Sequence, residues 1–201
     1  MLIRPYALAD KPVTNRSEIA GETSRREMSD NIKIGVVTVS DRAARGEYED
    51  RGGPAVHAYL SKVMKTPWEP VTVLVSDDPG ELRIALETLA DDEGCAWVIT
   101  TGGTGIAPRD HTPDVTLEIC DREVPGLGER MRYVSMEKVP TAMLSRQCAA
   151  IRGRCLFLNV PGSPKAIEEC LSAVIAAIPH ALELLGWGKV EAQKGFAIDH
   201  E

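Results

Sequence analysis

The sequence lacks the patterns that define several common protein classes. Its five cysteines are odd in number and include no CxxC pair, so no zinc spacing is present and reduced core thiols are expected. The motif GxxxxGK[ST] is absent, and no GxGxxG follows the first predicted strand. These absences exclude a P-loop NTPase and disfavour a Rossmann oxidoreductase.

Long apolar runs and an excess of basic residues are also missing. No run is long enough to span a membrane, and the amino-terminal stretch MLIRPYALADKPVTNRSE has no apolar signal region. The net charge is −7 with 26% charged residues, which argues against general nucleic-acid binding. We therefore expect a cytoplasmic protein with neither a nucleic-acid nor a membrane partner. A phosphate ligand would need local cations, backbone N–H groups or a metal to offset this acidic field.

The 201 residues suggest one domain with appendages. Residues 1–31 are polar without an apolar period and predict a flexible extension, residues 32–187 predict the domain, and residues 188–201 predict a tail. Within the domain, β-branched runs alternate with amphipathic helical segments. This alternation predicts an α/β fold with a mostly parallel sheet, whose ligands bind outside the carboxyl ends of the strands.

The stretch TTGGTGIAPRDHTPD follows the predicted strand AWVIT and is richer in special residues than a turn requires. Gly102, Gly103 and Gly105 can expose successive backbone N–H groups, which together bind anions. A tight strand-to-helix turn explains GGTG equally well. The residues that follow must distinguish the two interpretations.

Helix capping separates structural from functional aspartates in two loops. Thr112, with Pro113 after it, is predicted to cap the next helix, so Asp110 is left without a structural role and is placed to bind Mg²⁺. In VSDDPGEL, Asp78 is the predicted cap of a helix that Glu81 would close in a capping box. Asp77 is then left over, although it could itself be the cap.

Three further positions carry weaker signals. Asp41 beside Arg42 could form only a surface ion pair. Ser163 is predicted to cap the last long helix, whose amino terminus could also hold an anion. Arg146, next to Ser145, could clamp a phosphate or form an ordinary salt bridge.

Five motifs in order and spacing resemble the MogA/MoaB family over about residues 32–187. They are VSDR around Ser40, TTGGTGxxxRDxTPD from Thr100, PGLGERMR from Pro125, AMLSR from Ala142 and NVPGSP from Asn159. The resemblance to molybdopterin adenylyltransferases within this family implies a three-layer α/β/α fold and a homotrimer. It also implies transfer of AMP from Mg-ATP to the terminal phosphate of molybdopterin, with release of pyrophosphate. A molybdenum-insertion protein would use the product.

The resemblance implies roles for particular residues. Asp77 and Asp110 match the two key acidic positions and would be catalytic and bind Mg²⁺. The substrate-binding and nucleotide-binding positions implied are Ser40, Gly102, Gly103, Thr104, Gly105, Ser145, Arg146, Pro161, Gly162 and Ser163. A trimer that carries molybdopterin without adenylylating it is the alternative, and so is a scaffold role through the amino-terminal extension.

Overall fold

The computed structural model describes residues 31–196, so the predicted extension 1–31 lies almost wholly outside the described residues. Six strands form one sheet in the order β2-β1-β3-β6-β5-β4. The pairs β1–β2, β1–β3 and β3–β6 are parallel, and β5 runs antiparallel to both β6 and β4. The predicted mostly parallel sheet is confirmed. The strands are β1 (Ile32–Val39), β2 (Trp68–Val75), β3 (Trp97–Thr101), β4 (Arg122–Glu123), β5 (Ala149–Arg152) and β6 (Cys155–Val160).

The helices connect these strands and cover both faces of the sheet. They are α1 (Asp41–Ala44), α2 (Gly52–Val63), α3 (Pro79–Glu87), α4 (Thr112–Ile119), α5 (Pro125–Met136), α6 (Pro164–Val174) and α7 (Ile178–Leu184). A π-helical turn, Thr88–Asp92, extends α3. Two 3₁₀ turns, Pro140–Leu144 and Ile175–Ala177, follow α5 and α6.

Alternate side chains of the central strands enter two separate cores. Ile34 and Val36 of β1 pack in the core that also contains buried residues of α2, α5, α6 and α7. Val37 and Val39 of the same strand pack in the opposite core, with α3 and α4. Because successive strand residues point to opposite faces, a strand covered by helices on both sides is apolar along most of its length, and in β1 only Lys33 and Thr38 are not. This arrangement confirms the three-layer α/β/α fold.

The sequence pattern predicts an irregular loop over residues 41–53, a helix that begins at Pro54 and a helix that runs from Thr112 to Glu123. All three predictions were wrong in part. The loop after β1 contains the short helix α1, and α2 begins at Gly52, two residues before Pro54, where the helix was expected. The helix expected to run to Glu123 ends at Ile119, and the next residues form β4 against the edge of β5. This two-residue strand is too short to show a periodic pattern in the sequence.

The described part of the tail, residues 188–196, packs against the domain. Val190 is buried in the core that includes α2, and Ala192 makes an isolated antiparallel bridge with Met64. The backbone N–H groups of Lys65 and Thr66 both donate to the carbonyl of Glu191. These residues therefore add a closing segment beside the end of α2. Within residues 31–196, no helix is long and apolar enough to cross a membrane.

The cap of α3 lies where the sequence predicts it. The carboxylate of Asp78 accepts hydrogen bonds from the backbone N–H groups of Gly80 at 2.9 Å and Glu81 at 3.0 Å. The expected capping box does not form, because Glu81 accepts instead from the hydroxyl of Ser76 at 2.6 Å. Asp78 thus has a structural role, and Asp77 is not the cap.

Replacing the cap should weaken the fold measurably. We expect Asp78→Ala to lower the free energy of unfolding by about 1 kcal/mol, because two helix-terminal N–H groups lose their acceptor. Urea denaturation of the two proteins measures this difference. Asp78→Asn keeps an acceptor oxygen and should lose less than half as much; equal losses in both variants would contradict the capping role.

Candidate ligand-binding site

The glycine-rich loop after β3 follows a path that excludes side chains at two positions. Gly102 has φ +104° and Gly103 has φ +63°, both in the region that favours glycine. A Cβ on Gly102 would lie 2.3 Å from the carbonyl oxygen of Val39, and one on Gly103 would lie 2.4 Å from the hydroxyl of Thr112. The loop therefore crosses the carboxyl ends of the central strands in close backbone contact with its neighbours.

Thr112 fastens this crossing, and the prediction that it caps α4 was wrong. Its hydroxyl donates to the carbonyl of Gly102 at 3.0 Å, and its N–H donates to the carbonyl of Gly103 at 3.2 Å. The residue at the capping position of α4 is His111, whose side chain makes no capping hydrogen bond. Thr112 is itself the first residue of α4, one position past the cap, so its hydroxyl donates to the loop and does not accept from the helix N–H groups.

Arg146 holds the far side of the same loop. Its guanidinium donates to the carbonyl of Gly105 at 2.8 Å, to the carbonyl of Asp110 and to the carboxylate of Asp114 at 2.7 Å. Its backbone N–H also donates to the carbonyl of Thr104 at 2.7 Å. The nearby positive charge lowers the pKa of Asp114 through the hydrogen bond from Arg146. Of the two predicted alternatives, the salt bridge is the arrangement present.

Asp110 has the structural role that the sequence did not reveal. Its carboxylate accepts a hydrogen bond from the backbone N–H of Ala107 at 2.8 Å and lies against the Cα of Gly105, where a Cβ would be 2.7 Å away. The inference that Asp110 is structurally unused was therefore wrong. A carboxylate has several acceptor sites, so this bond leaves it able to bind another donor or a cation.

Asp77 pairs with Asp41 across the ends of β2 and β1. The N–H of Asp41 donates to the carboxylate of Asp77 at 3.1 Å, and the N–H of Asp77 donates to that of Asp41 at 3.0 Å. Arg109, from the glycine-rich loop, forms an ion pair with Asp41. Asp41 also lies 3.7 Å from the guanidinium of Arg45. The suggested ion pair between Asp41 and Arg42 is not the one that forms. Arg109 directly precedes Asp110, so these contacts connect Asp77 with Asp110 through Asp41 and Arg109.

The third loop, between β6 and α6, lies beside the glycine-rich loop. The hydroxyl of Thr101 donates to the carbonyl of Pro161 at 2.9 Å, and a Cβ on Gly162 would lie 3.5 Å from the Cα of Gly102. Ser163 caps α6, as predicted, by accepting from the N–H of Ala166 at 3.3 Å.

Two cavities are lined by different parts of the glycine-rich loop. The smaller cavity, of about 130 Å³, is lined by residues that include Thr38, Ser40, Asp50, Gly102 and Gly162. The larger cavity, of about 440 Å³, is lined on its loop side by Thr104, Gly105, Ser145, Pro161 and Ser163. Eight of the predicted site residues thus line one cavity or the other: Ser40, Gly102, Thr104, Gly105, Ser145, Pro161, Gly162 and Ser163. Gly103, Arg146, Asp77 and Asp110 hold or border the loops between them.

A fully buried polar network supports the loop from below. The side-chain amide of Asn159, on β6, donates to the hydroxyls of Thr100 at 2.9 Å and Thr116 at 3.1 Å. Its oxygen accepts from the thiol of Cys148 at 3.0 Å, and burial raises the pKa of this thiol to about 12. Thr100 precedes the loop and Thr116 follows it, so Asn159 fixes both ends.

Sequence reasoning gave no role in the site to four polar residues of this region, of which Asp41 was considered only for a surface ion pair. Asp50 lines the smaller cavity and accepts from the hydroxyl of Thr38 at 2.9 Å and from the N–H of Gly52 at 2.8 Å. Gln147 and Glu169 line the larger cavity, and Asp41 adjoins Asp77. The position of Asp41 directly after a strand was the only usable signal. The other three face the site through the tertiary fold alone.

Comparison with known proteins confirms the family that the sequence motifs resemble. Residues 35–180 match the family model described as a probable molybdopterin binding domain. This chain belongs to the MogA/MoaB family. It is 46% identical over 166 residues to the molybdopterin adenylyltransferase of Haemophilus influenzae, covering 77% of this chain and 84% of that protein. The corresponding protein of Escherichia coli K12 is 44% identical over 172 residues, covering 80% and 88%.

The solved structures agree on the family's fold. The crystal structure of the molybdopterin biosynthesis enzyme MoaB from Thermus thermophilus matches with a TM-score of 0.71 and 47% identity. The match covers 77% of this chain and 96% of that one. MoaB from Pyrococcus furiosus, described as a tungsten cofactor synthesizing protein, matches with a TM-score of 0.69 and 37% identity over 77% of this chain and 97% of its own.

The close backbone approach at Gly103 should make this position intolerant of a side chain. We expect Gly103→Ala to lower the free energy of unfolding by about 2 kcal/mol or more, since it combines a left-handed backbone with a contact to Thr112. Chemical denaturation measures the loss. The control is Gly126→Ala, near the start of α5, where a Cβ meets nothing within 4 Å. Equal stability of the two variants would contradict the proposed constraint.

Proposed function

We propose that this protein is a molybdopterin adenylyltransferase, which transfers AMP from Mg-ATP to the terminal phosphate of molybdopterin and releases pyrophosphate in molybdenum cofactor biosynthesis. The observation that carries the proposal is the glycine-rich backbone loop that lines two cavities, with carboxylates at its border. Two separate ligands could be held in the two cavities along one loop, where their phosphates would meet. The names of the relatives from H. influenzae and E. coli support this choice.

Repulsion between two polyanions is the main obstacle to this reaction. A phosphate oxygen of molybdopterin must attack the α-phosphorus of ATP, while the bond from that phosphorus to the leaving pyrophosphate breaks. The N–H of Gly102 donates to the carbonyl of Val160, so the N–H groups of Gly103–Gly105 would stabilise charge on the transferring group. They would do so without reorganising, since the loop is already fastened by Thr112 and Arg146. Lys138 and Lys165, which line the larger cavity, add positive charge on one side.

The residues present fit Mg²⁺ bound together with substrate phosphates. Among residues 31–196 no cluster of three or more possible metal ligands occurs, so the protein alone does not form a complete cage. Mg²⁺ is commonly held by one or two carboxylates plus phosphate oxygens, and Asp77 and Asp110 keep unused acceptor sites for this. When bound, the ion would neutralise phosphate charge.

The assembly and cellular setting follow the same proposal. Exposed apolar side chains that do not line the larger cavity lie on α5 and on the turn that follows it: Tyr133 and Met143 are each more than half exposed. We infer that second copies of the chain cover this face in a homotrimer, and that a molybdenum-insertion protein in the cytoplasm receives the product. Sedimentation analysis of the purified protein gives the molecular mass that tests the trimer.

Loss of the Asp110 charge should reduce transfer without disrupting the loop. We expect Asp110→Asn, which keeps an oxygen to accept from Ala107, to lower the rate of pyrophosphate release from Mg-ATP and molybdopterin by about 10²–10³-fold. Asp110→Ala removes this acceptor as well and should add a loss of stability. Asp92→Asn, on the exposed π-helical turn, is the matched control. A wild-type rate in Asp110→Asn would contradict a role for this residue in the reaction. If the wild-type protein binds molybdopterin but releases no pyrophosphate, the alternative of a trimer that carries molybdopterin without adenylylating it is favoured.

A further inference from the structure

The loops that follow β1, β2 and β3 are joined by one series of polar contacts. Asp41, after β1, and Asp77, after β2, each donate a backbone N–H to the carboxylate of the other, at 3.1 and 3.0 Å. Arg109, in the glycine-rich loop after β3, donates to the second carboxylate oxygen of Asp41. The three loops therefore form one connected unit, and Asp41 is its junction.

The two carboxylates at this junction are used differently. One oxygen of Asp41 accepts from Asp77 and the other accepts from Arg109, and the side chain is only 19% exposed. In Asp77 one oxygen accepts from Asp41, and no hydrogen bond within residues 31–196 uses the other oxygen. Asp41 is thus committed to contacts within the protein, whereas Asp77 keeps an oxygen for a ligand or a cation.

Two arginines supply positive charge where these carboxylates meet, and they do so from different loops. Arg45 lies 3.7 Å from Asp41, but its guanidinium is held at 2.7 Å by Glu47 in the same loop as Asp41. Arg109 brings its charge from the glycine-rich loop. Its side chain is 66% exposed, and an exposed ion pair adds little to overall stability. We therefore expect the effect of Arg109 to lie in where the loops are held.

We propose that Asp41 and Arg109 are positioning residues, which keep the loops of Asp77 and Asp110 at one fixed spacing; this inference rests on the proposed function. Arg109 directly precedes Asp110, so its ion pair fixes the backbone that carries Asp110. Asp41 fixes the backbone N–H of Asp77. Because Mg²⁺ tolerates little departure from octahedral geometry, a fixed spacing suits two carboxylates that bind it together with phosphate oxygens.

Hydrogen exchange of the free, full-length protein tests whether the effect passes through Asp41. Within residues 31–196 no hydrogen bond or ion pair joins Arg109 to Asp77 directly. We nevertheless expect Arg109→Gln to speed exchange of the Asp77 amide by at least about tenfold, since the carboxylate that accepts from this amide loses its partner. Mass spectrometry of overlapping peptides around residue 77 measures the rate.

Two further variants are controls for the exchange experiment. Arg109→Lys keeps a charge that can make the single contact with Asp41, so exchange at Asp77 should stay within about threefold of the wild type. Arg45→Gln removes a charge near Asp41 without breaking a link between loops, and it should also stay within about threefold.

Steady-state kinetics tests the consequence for the reaction. With Mg-ATP and molybdopterin, we expect Arg109→Gln to lower kcat by about tenfold to a hundredfold, while KM for ATP changes by less than about threefold. Asp41→Asn keeps an acceptor for the N–H of Asp77 but loses the ion pair, so its kcat should fall by a similar factor. The double variant should lose no more than the weaker single variant, because both changes break the same link. Arg83→Gln is the matched control, since its exposed ion pair with Glu118 lines neither cavity.

Several results would overturn the inference. Unchanged exchange at Asp77 in Arg109→Gln would show that the three loops are not linked through Asp41. Additive losses in the double variant, or a rise in KM for ATP that accounts for the loss in Arg109→Gln, would make Arg109 a ligand of the substrate instead. An equal loss in Arg45→Gln would reduce the effect to general charge. Thermal melting of every variant verifies folding, and the two Arg109 variants decide if Asp41→Asn is unfolded.

Pyrophosphate release by the wild type separates this inference from the proposed function. Release by the wild type and at the same rate by Arg109→Gln would reject only the positioning roles. If the wild type releases no pyrophosphate, the proposed function fails and the role in the reaction fails with it. Exchange at Asp77 then still decides whether Asp41 and Arg109 hold the three loops together.

Discussion

The close approach of the Gly102–Gly103 backbone to Val39 and Thr112 is the constraint on which the site depends. Only residues without a Cβ can cross the strand ends at this distance, and the loop that makes the crossing lines both cavities. The polar groups around it, above all Asn159, Thr112 and Arg146, are used to hold the loop in this path. The site is therefore rigid before any ligand binds, as electrostatic stabilisation requires.

This constraint also explains how an acidic protein can provide an anion-binding surface. The overall charge is −7, and the arginines nearest the loop, Arg109 and Arg146, are engaged with carboxylates and carbonyls of the protein itself. On the loop itself, the groups that could bind an anion are backbone N–H groups, which carry no net charge and need little space; Lys138 and Lys165 add positive charge along the larger cavity. Local geometry thus compensates for an unfavourable overall field.

The fold was largely predictable because its signals are local and strong. A largely apolar strand such as β1 favours a sheet covered on both faces, and Asp78-Pro79 marks a helix start that the structure confirms. Elements that depend on an edge partner, such as β4, left no such pattern. Fold class and the ligand-binding edge of the sheet follow from pattern, whereas short edge elements follow from tertiary pairing.

Individual site residues were predictable only where one side chain had one possible partner. The capping argument failed at Thr112 because α4 begins at this residue, which leaves it one position past the cap. It failed at Asp110 because the N–H of Ala107 was not a foreseeable partner.

The strand order has a consequence for synthesis of the chain. β3, all of whose residues are buried, pairs with β1 on one side and with β6 on the other. During translation the first pair can form early, but the second edge stays open until residues 155–160 have emerged from the ribosome. An apolar strand with an unpaired edge is a template for wrong pairing, so this interval is when the nascent chain is most exposed to aggregation. The same carboxyl-terminal strand that closes the sheet also carries Asn159, so the loop acquires its support only at that step.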